Sequence, residues 1–268
     1  MQLKELGNTG VMVSEIGLGT WKYRGGAEPL RRGIELGAFL IDTAEMYRTE
    51  DVVGQAISGR RDQVFLASKV LGSHLRYDQV MKAAEVSLRR LAVDCIDLYQ
   101  IHWPNSRVPI AETMQAMGEL VDQNIVRFIG VSNFSTREFQ QAQAAMVNHP
   151  IVSNQVLYSL KARHIERDLL PYCQENHITV MAYTPLADGS LAARSRFRRH
   201  RSFEALESVA AQVNKTPAQV ALNWCTSHPN VIAIPKSNSL SRTEENCGAS
   251  GWRLSQQQVQ LLDQAFDS

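Results

Sequence analysis

The chain has 268 residues, a formal net charge of +1 and 44% hydrophobic residues. That is enough apolar material for a sizeable core, and the near-neutral balance gives no overall field to draw the molecule onto nucleic acid or an acidic membrane. No stretch approaches the roughly 18 apolar residues of a membrane helix, and the leading MQLKELGNTG lacks the apolar segment of a secretion signal.

In chain order, LKEL and VMVS flank GNTG, which predicts a hairpin ahead of the main fold. Eight short runs rich in Val, Ile and Leu follow: EIGLG (15–19), FLID (39–42), VFLASK (64–69), IDLYQIH (96–102), RFIGVSN (127–133), VSNQ (152–155), ITVMAY (178–183) and VIAIPK (231–236). Segments of helical period separate them, including YDQVMKAAEVSLRRL (77–91), IAETMQAMGELVDQ (110–123), TREFQQAQAAM (136–146) and TPAQVALNWCTS (216–227), with a last one at 254–266. In the fourth, Thr216 is placed to cap the helix, with Pro217 at its first position.

Near-continuous apolar strands require burial on both faces, as in a parallel sheet with crossover helices. Eight successive βα units fit a closed (β/α)8 TIM barrel, an α/β fold whose N-terminal β-hairpin plugs the bottom. An open doubly wound sheet would carry a glycine-rich phosphate loop after its first strand, and EIGLGTW lacks the third glycine. No composition shift marks a boundary, so one domain over residues 1–268 is expected. Cys95, Cys173, Cys225 and Cys247 lie far apart without C-x-x-C or C-x-x-H spacing, and read as isolated thiols rather than a metal site or disulfide framework. A reduced, cytoplasmic protein without a bound metal is the expectation.

The functional signal lies at the strand ends. Asp42, Lys69, His102, Ser132 with Asn133, Gln155, Tyr183 and Lys236 each close a different run, and in a barrel those positions converge on one mouth. Tyr47 follows Asp42 by five residues. A free phenol, with a pKa near 10, is a poor acid at neutral pH, and a neighbouring ammonium lowers that value. Lys69 is placed to do so, with Asp42 as its ion-pair partner, while His102 supplies a hydrogen bond to a carbonyl oxygen. Such a set suits protonating an oxygen as charge develops on it, and hydride reduction of a carbonyl is the natural partner reaction.

The segments GAFLIDTAEMY (37–47), LYQIHWPN (98–105) with GVSNF (130–134), and IPKSNSLSRTEEN (234–246) carry a resemblance over essentially the whole chain. In this order and spacing the sequence resembles the aldo-keto reductases, in their bacterial, 2,5-diketo-gluconate-reductase-like form. The resemblance implies an NADPH-dependent reductase of aldehydes and ketones, commonly monomeric, with no nucleic-acid or membrane partner. It implies a catalytic tetrad of Asp42, Tyr47, Lys69 and His102, with Tyr47 as proton donor and hydride delivered from C4 of the nicotinamide. Trp21 and Trp103, with Tyr47 and His102, would border the substrate.

Cofactor contacts carry over in the same way. Ser132, Asn133 and Gln155 would hold the carboxamide, Tyr183 would stack on the nicotinamide, and Gly19, Thr20, Trp21 and Asp42 would approach its ribose. In YTPLADG (183–189), Thr184, Leu186 and Gly189 would contact the pyrophosphate, with Thr184 where the family usually has serine. Lys236, Ser237, Asn238 and Arg242 would surround the 2′-phosphate, with Glu245 and Asn246 on the adenine. Two cations beside hydroxyl and amide donors suit a dianion on chemical grounds as well.

The arginine-rich SLAARSRFRRHR (190–201) is open between a solvated basic loop and a phosphate clamp. Only Asp267 and Ser268 follow the last helical segment, which predicts an open pocket tolerant of aldehydes, α-ketoesters or keto sugars. Two rivals stand beside this reading. A barrel-mouth lysine forms Schiff bases in class I aldolases. Some proteins of this fold sense nucleotides without turnover.

Overall fold

The computed structural model describes residues 1–146, 148–192 and 201–267. The arginine-rich segment therefore lies largely outside the described residues. Strands β1 (Leu3–Glu5) and β2 (Met12–Ser14) form the antiparallel hairpin. The eight apolar runs become β3 (Leu18–Gly19), β4 (Leu40–Asp42), β5 (Phe65–Val70), β6 (Ile96–Ile101), β7 (Val126–Ser132), β8 (Ile151–Leu157), β9 (Thr179–Tyr183) and β10 (Val231–Ala233). They pair in parallel in chain order. Backbone bonds from Gly17 N to Ala233 O (2.8 Å), Gly19 N to Pro235 O (3.0 Å) and Ala233 N to Glu15 O (2.9 Å) join the first strand to the last and close the barrel.

Helices follow the strands: α1 (Glu28–Glu35), α2 (Glu50–Ile57), α3 (Tyr77–Leu91), α4 (Ile110–Asp122), α5 (Thr136–Ala145), α6 (Leu169–Glu175), α7 (Arg201–Gln212), α8 (Pro217–Ser227), α9 (Leu240–Cys247) and α10 (Gln256–Phe266). The reason α8 starts where it does is local. Thr216 Oγ1 accepts the Gln219 N–H at 3.2 Å, the Gln219 side chain accepts the Thr216 N–H at 3.0 Å, and Pro217 needs no amide partner. Ser135 with Glu138 and Ser255 with Gln258 start α5 and α10 in the same way.

Alternation along the strands divides the core into two shells. Outward residues such as Leu66, Tyr99 and Ile101 pack beneath the helices. Inward residues, including Leu40, Phe65, Ala67, Leu98, Met181 and Ile232, fill the barrel together with Leu6 and Val13 of the hairpin. The hairpin is fixed over the N-terminal strand ends. Gly7 N donates to Thr179 Oγ1 at 2.7 Å, Leu40 N donates to Ser14 Oγ at 3.1 Å, and Lys4 Nζ donates to the carbonyls of Thr226, His228 and Val231. One end of the barrel is thereby sealed with apolar side chains, and polar groups on the last inward rung face the other end. Among the described residues no helix is long and apolar enough to cross a membrane.

Candidate active site

Strand geometry alone places the first polar group. On β5 the inward residues are Phe65, Ala67 and Lys69, so Lys69 sits one rung above an apolar plug, fully buried. Its ammonium donates to Asp42 Oδ2 at 2.6 Å, to the Thr43 carbonyl at 2.9 Å and to the Tyr47 hydroxyl at 3.3 Å. Asp42, at the end of β4, turns its other oxygen to two amides, Gln155 Nε2 at 2.7 Å and Gln100 Nε2 at 3.3 Å. Tyr47 reaches the same point from a short helical turn, Glu45–Tyr47, that leaves β4. Its ring lies 4.9 Å from that of Trp21 and edge-on to His102 at 5.3 Å.

Electrostatics follow from burial and pairing. Burial pulls the Lys69 ammonium down, but Asp42 and then Tyr47 outweigh it, and the net direction is up, so the group stays charged. The Tyr47 phenol moves against expectation. Burial raises it, Asp42 adds to the rise, and the opposing pull of Lys69 does not win, leaving the phenol above its ordinary value. His102 is pushed down to about 3, first by burial and then by the Lys69 charge, so its ring is neutral. Its Nδ1 is buried without a hydrogen-bond partner. An unpaired buried N–H is the costlier orphan, so the proton belongs on Nε2, and the ring is a donor at that atom.

Asp42, Tyr47, His102 and Gln155 line a cavity of about 560 Å³ at the C-terminal strand ends. The expected residues Gly19, Thr20, Trp21, Asp42, Tyr47, His102, Trp103, Ser132, Asn133, Gln155 and Tyr183 border it. So do Thr184, Leu186, Gly189, Lys236, Arg242, Glu245 and Asn246. Lys69, Ser237 and Asn238 do not. Lys69 meets the cavity through two of its lining groups, the Asp42 carboxylate and the Tyr47 hydroxyl. The Ser237 hydroxyl is spent within its own turn, donating to Ser239 O at 2.9 Å, and Asn238 Oδ1 accepts the Arg24 N–H at 3.0 Å. A Schiff base needs a neutral, reachable amine, and Lys69 offers neither.

The far wall is built from a hydrogen-bond relay. Tyr183 donates to Asn133 Oδ1 at 3.0 Å, and Asn133 Nδ2 donates to Ser132 Oγ and to the His102 carbonyl. Ser132 Oγ in turn donates to the Gln155 carbonyl. Asn133 has φ 62°, and Thr184, Ala187, Asp188 and Gly189 are also left-handed, which bends the post-β9 segment around the opening. Gly19 is required by contact: a side chain there would begin 2.6 Å from the Ile234 carbonyl. Among the described residues Lys236 and Arg242 make no ion pair, so two cations at the cavity wall are free for an anionic group. A phosphorylated dinucleotide fits this donor set.

Sequence reasoning missed Gln100, Met46 and Lys22. Gln100 stands two residues before His102 and so shares its strand face, a signal that alternation carries. Met46 lines the cavity from the three-residue turn Glu45–Tyr47 and Lys22 from a loop, segments too short for a period to point to them.

A barrel with its polar set at the C-terminal strand ends defines an enzyme of the TIM-barrel class by placement. The aldo/keto reductase family profile matches residues 15–267. A methylglyoxal reductase of Escherichia coli, YeaE, is 38% identical, covering 99% of this chain and 96% of its own. A thermostable aldo-keto reductase, Tm1743, solved with the inhibitor epalrestat, superposes with a TM-score of 0.92 at 40% identity, covering 99% of this chain and all of its own. An aldo/keto reductase of Klebsiella pneumoniae, solved with NADP and acetate, gives 0.87 at 40% identity, covering 96% and 92%. The chain belongs to the aldo/keto reductase family.

Proposed function

We propose that this protein, an NADP-dependent oxidoreductase in one barrel domain, reduces small aldehydes and ketones to alcohols, with Tyr47 as the proton donor. NADPH, when bound, supplies the hydride. The NADP in the Klebsiella pneumoniae relative and the two uncommitted cations Lys236 and Arg242 support the cofactor assignment. Ser132, Asn133, Gln155 and Tyr183 are the groups that would hold the nicotinamide end.

The observation that carries the reading is the Lys69 ammonium held between Asp42 Oδ2 and the Tyr47 hydroxyl. As hydride reaches the carbonyl carbon, negative charge builds on its oxygen. The His102 Nε2–H donates to that oxygen, and Tyr47 transfers its proton there. The phenolate left behind faces Lys69, a cation already in place and unable to relax away. Asp42 holds the ammonium and is itself held by the two glutamine amides, so the geometry does not reorganise during the step.

The reading extends to 2-oxoaldehydes of the methylglyoxal type as substrates, on the name of the Escherichia coli relative and on the open, half-aromatic mouth formed by Trp21, Met46 and Trp103. Tyr47→Phe tests the core of it. NADPH affinity, followed by fluorescence titration, should be retained, while methylglyoxal reduction falls by roughly 10²–10⁴-fold. A mutant that reduces methylglyoxal at near the wild-type rate would show that the proton comes from elsewhere.

A further inference from the structure

The phenol of Tyr47 stands on a turn with few internal anchors. Ala44 offers no capping side chain, the helical turn is only three residues long and starts with a Tyr47 N to Ala44 O bond, and Arg48 beyond it is left-handed at φ 55°. Yet the Tyr47 hydroxyl lies 3.3 Å from Lys69 Nζ, near the long limit of a hydrogen bond, so a small drift of the turn breaks the contact. Something outside the turn must hold it.

Glu45 is placed to do so. It shares the turn with Tyr47 but does not line the cavity. Its Oε2 accepts the Leu71 N–H at 2.9 Å, and its Oε1 lies 2.8 Å from His74 Nδ1. Leu71 and His74 belong to the segment leaving β5, the strand that carries Lys69 one rung earlier. The carboxylate thus ties the turn bearing the phenol to the strand bearing the ammonium, across β4 and β5. We infer that Glu45 is a positioning residue that fixes the Tyr47–Lys69 distance, with His74 as its second anchor; the inference rests on Tyr47 being the proton donor.

The glutamine variant separates geometry from charge. Glu45→Gln keeps an oxygen for the Leu71 N–H and an amide N–H for His74 Nδ1, so kcat should stay within about threefold of wild type. Glu45→Ala loses both ties, and kcat should fall about ten- to a hundredfold, the penalty of misplacing a reacting group by about 1 Å. KM and Kd for NADPH should not change, because Glu45 touches no cavity wall. His74→Ala removes one tie without altering the turn and should lower kcat several-fold. In Glu45→Ala and His74→Ala, the solvent deuterium isotope effect on kcat should rise as proton transfer becomes rate-limiting.

Tyr47→Phe is measured alongside. If it loses activity while Glu45→Ala and His74→Ala keep full kcat, the tie is refuted and the proton-donor reading stands. If Tyr47→Phe keeps activity, the proton-donor reading itself fails. If Glu45→Ala does not fold, the His74→Ala kcat decides: a several-fold loss with unchanged NADPH affinity supports the tie, and an unchanged kcat refutes it.

Discussion

Lys69→Met isolates the buried charge pair at the floor of the cavity. Lys69 and Asp42 are 0% and 2% exposed, and their charged atoms lie 2.6 Å apart. Methionine matches the length of the lysine stem but removes the ammonium, leaving Asp42 with only the Gln155 and Gln100 amides. Breaking one side of a buried pair costs about 3–5 kcal/mol, and the two amides favour the lower end, about 3 kcal/mol. For a domain of this size that is a fall in Tm of about 6–12 °C. Urea unfolding and calorimetry at pH 7 read it directly. Lys69→Met/Asp42→Asn removes the stranded charge as well, so it should recover to within about 1–2 kcal/mol of wild type. Reductase activity should not recover, because the phenolate still lacks its cation. A Lys69→Met stability within about 1 kcal/mol of wild type, or a double variant no more stable than the single, would refute a stranded charge at Asp42.

Two further outcomes follow from the same site. His102, held down to about 3, refuses a proton that the unfolded chain accepts near its ordinary value of about 6.5. As pH falls from about 6.5 towards 3 that difference drains folding stability, so urea midpoints at pH 5 and pH 7 should differ less in His102→Gln than in wild type. Arg242→Ala should raise KM for NADPH about ten- to a hundredfold, the worth of a charged hydrogen bond to phosphate, and leave KM for NADH within about twofold. Equal losses with both cofactors would place Arg242 elsewhere than at the 2′-phosphate.

The barrel was legible because its strands are buried on both faces. Burial writes itself as unbroken runs such as VFLAS, and these end on polar residues where the sheet meets the cavity. Long helices were legible for the same reason: fifteen residues of period set Tyr77–Leu91 to the residue. Helices α1, α6, α7 and α9 were not read. The first, second and last of these span eight, seven and eight residues, too few turns to show a period, and LSRTEENC carries almost no apolar face, while the twelve-residue α7 starts at the end of the arginine-rich run. At the site, convergence was readable from strand ends, but the direction of the Tyr47 shift was not. A neighbouring cation is visible in a motif, whereas the depth of burial that overrides it is a property of the closed fold. Ser237 and Asn238 illustrate the converse. Their motif was recognisable, while the structure shows the Ser237 hydroxyl donating to Ser239 O and Asn238 Oδ1 accepting the Arg24 N–H, local bonds that no motif announces.

The raised phenol fits the proposed mechanism better than a lowered one would. The cavity floor holds one cation and one anion in contact, a neutral imidazole and a neutral phenol, so no net charge is stored there before reaction. A phenol made acidic by Lys69 would already share its proton with water and present a phenolate to the substrate oxygen, which repels the charge that reduction creates. Tyr47 instead keeps its proton until an alkoxide, a much stronger base than a phenolate, develops within reach. Lys69 then stabilises the product of the transfer rather than its starting state, and stabilisation confined to the later state is what lowers the barrier. The Asp42 carboxylate has a matching role. By holding Lys69 in a tight pair it restrains the ammonium from acidifying Tyr47 in the resting enzyme, while leaving the cation 3.3 Å from the oxygen that will become negative.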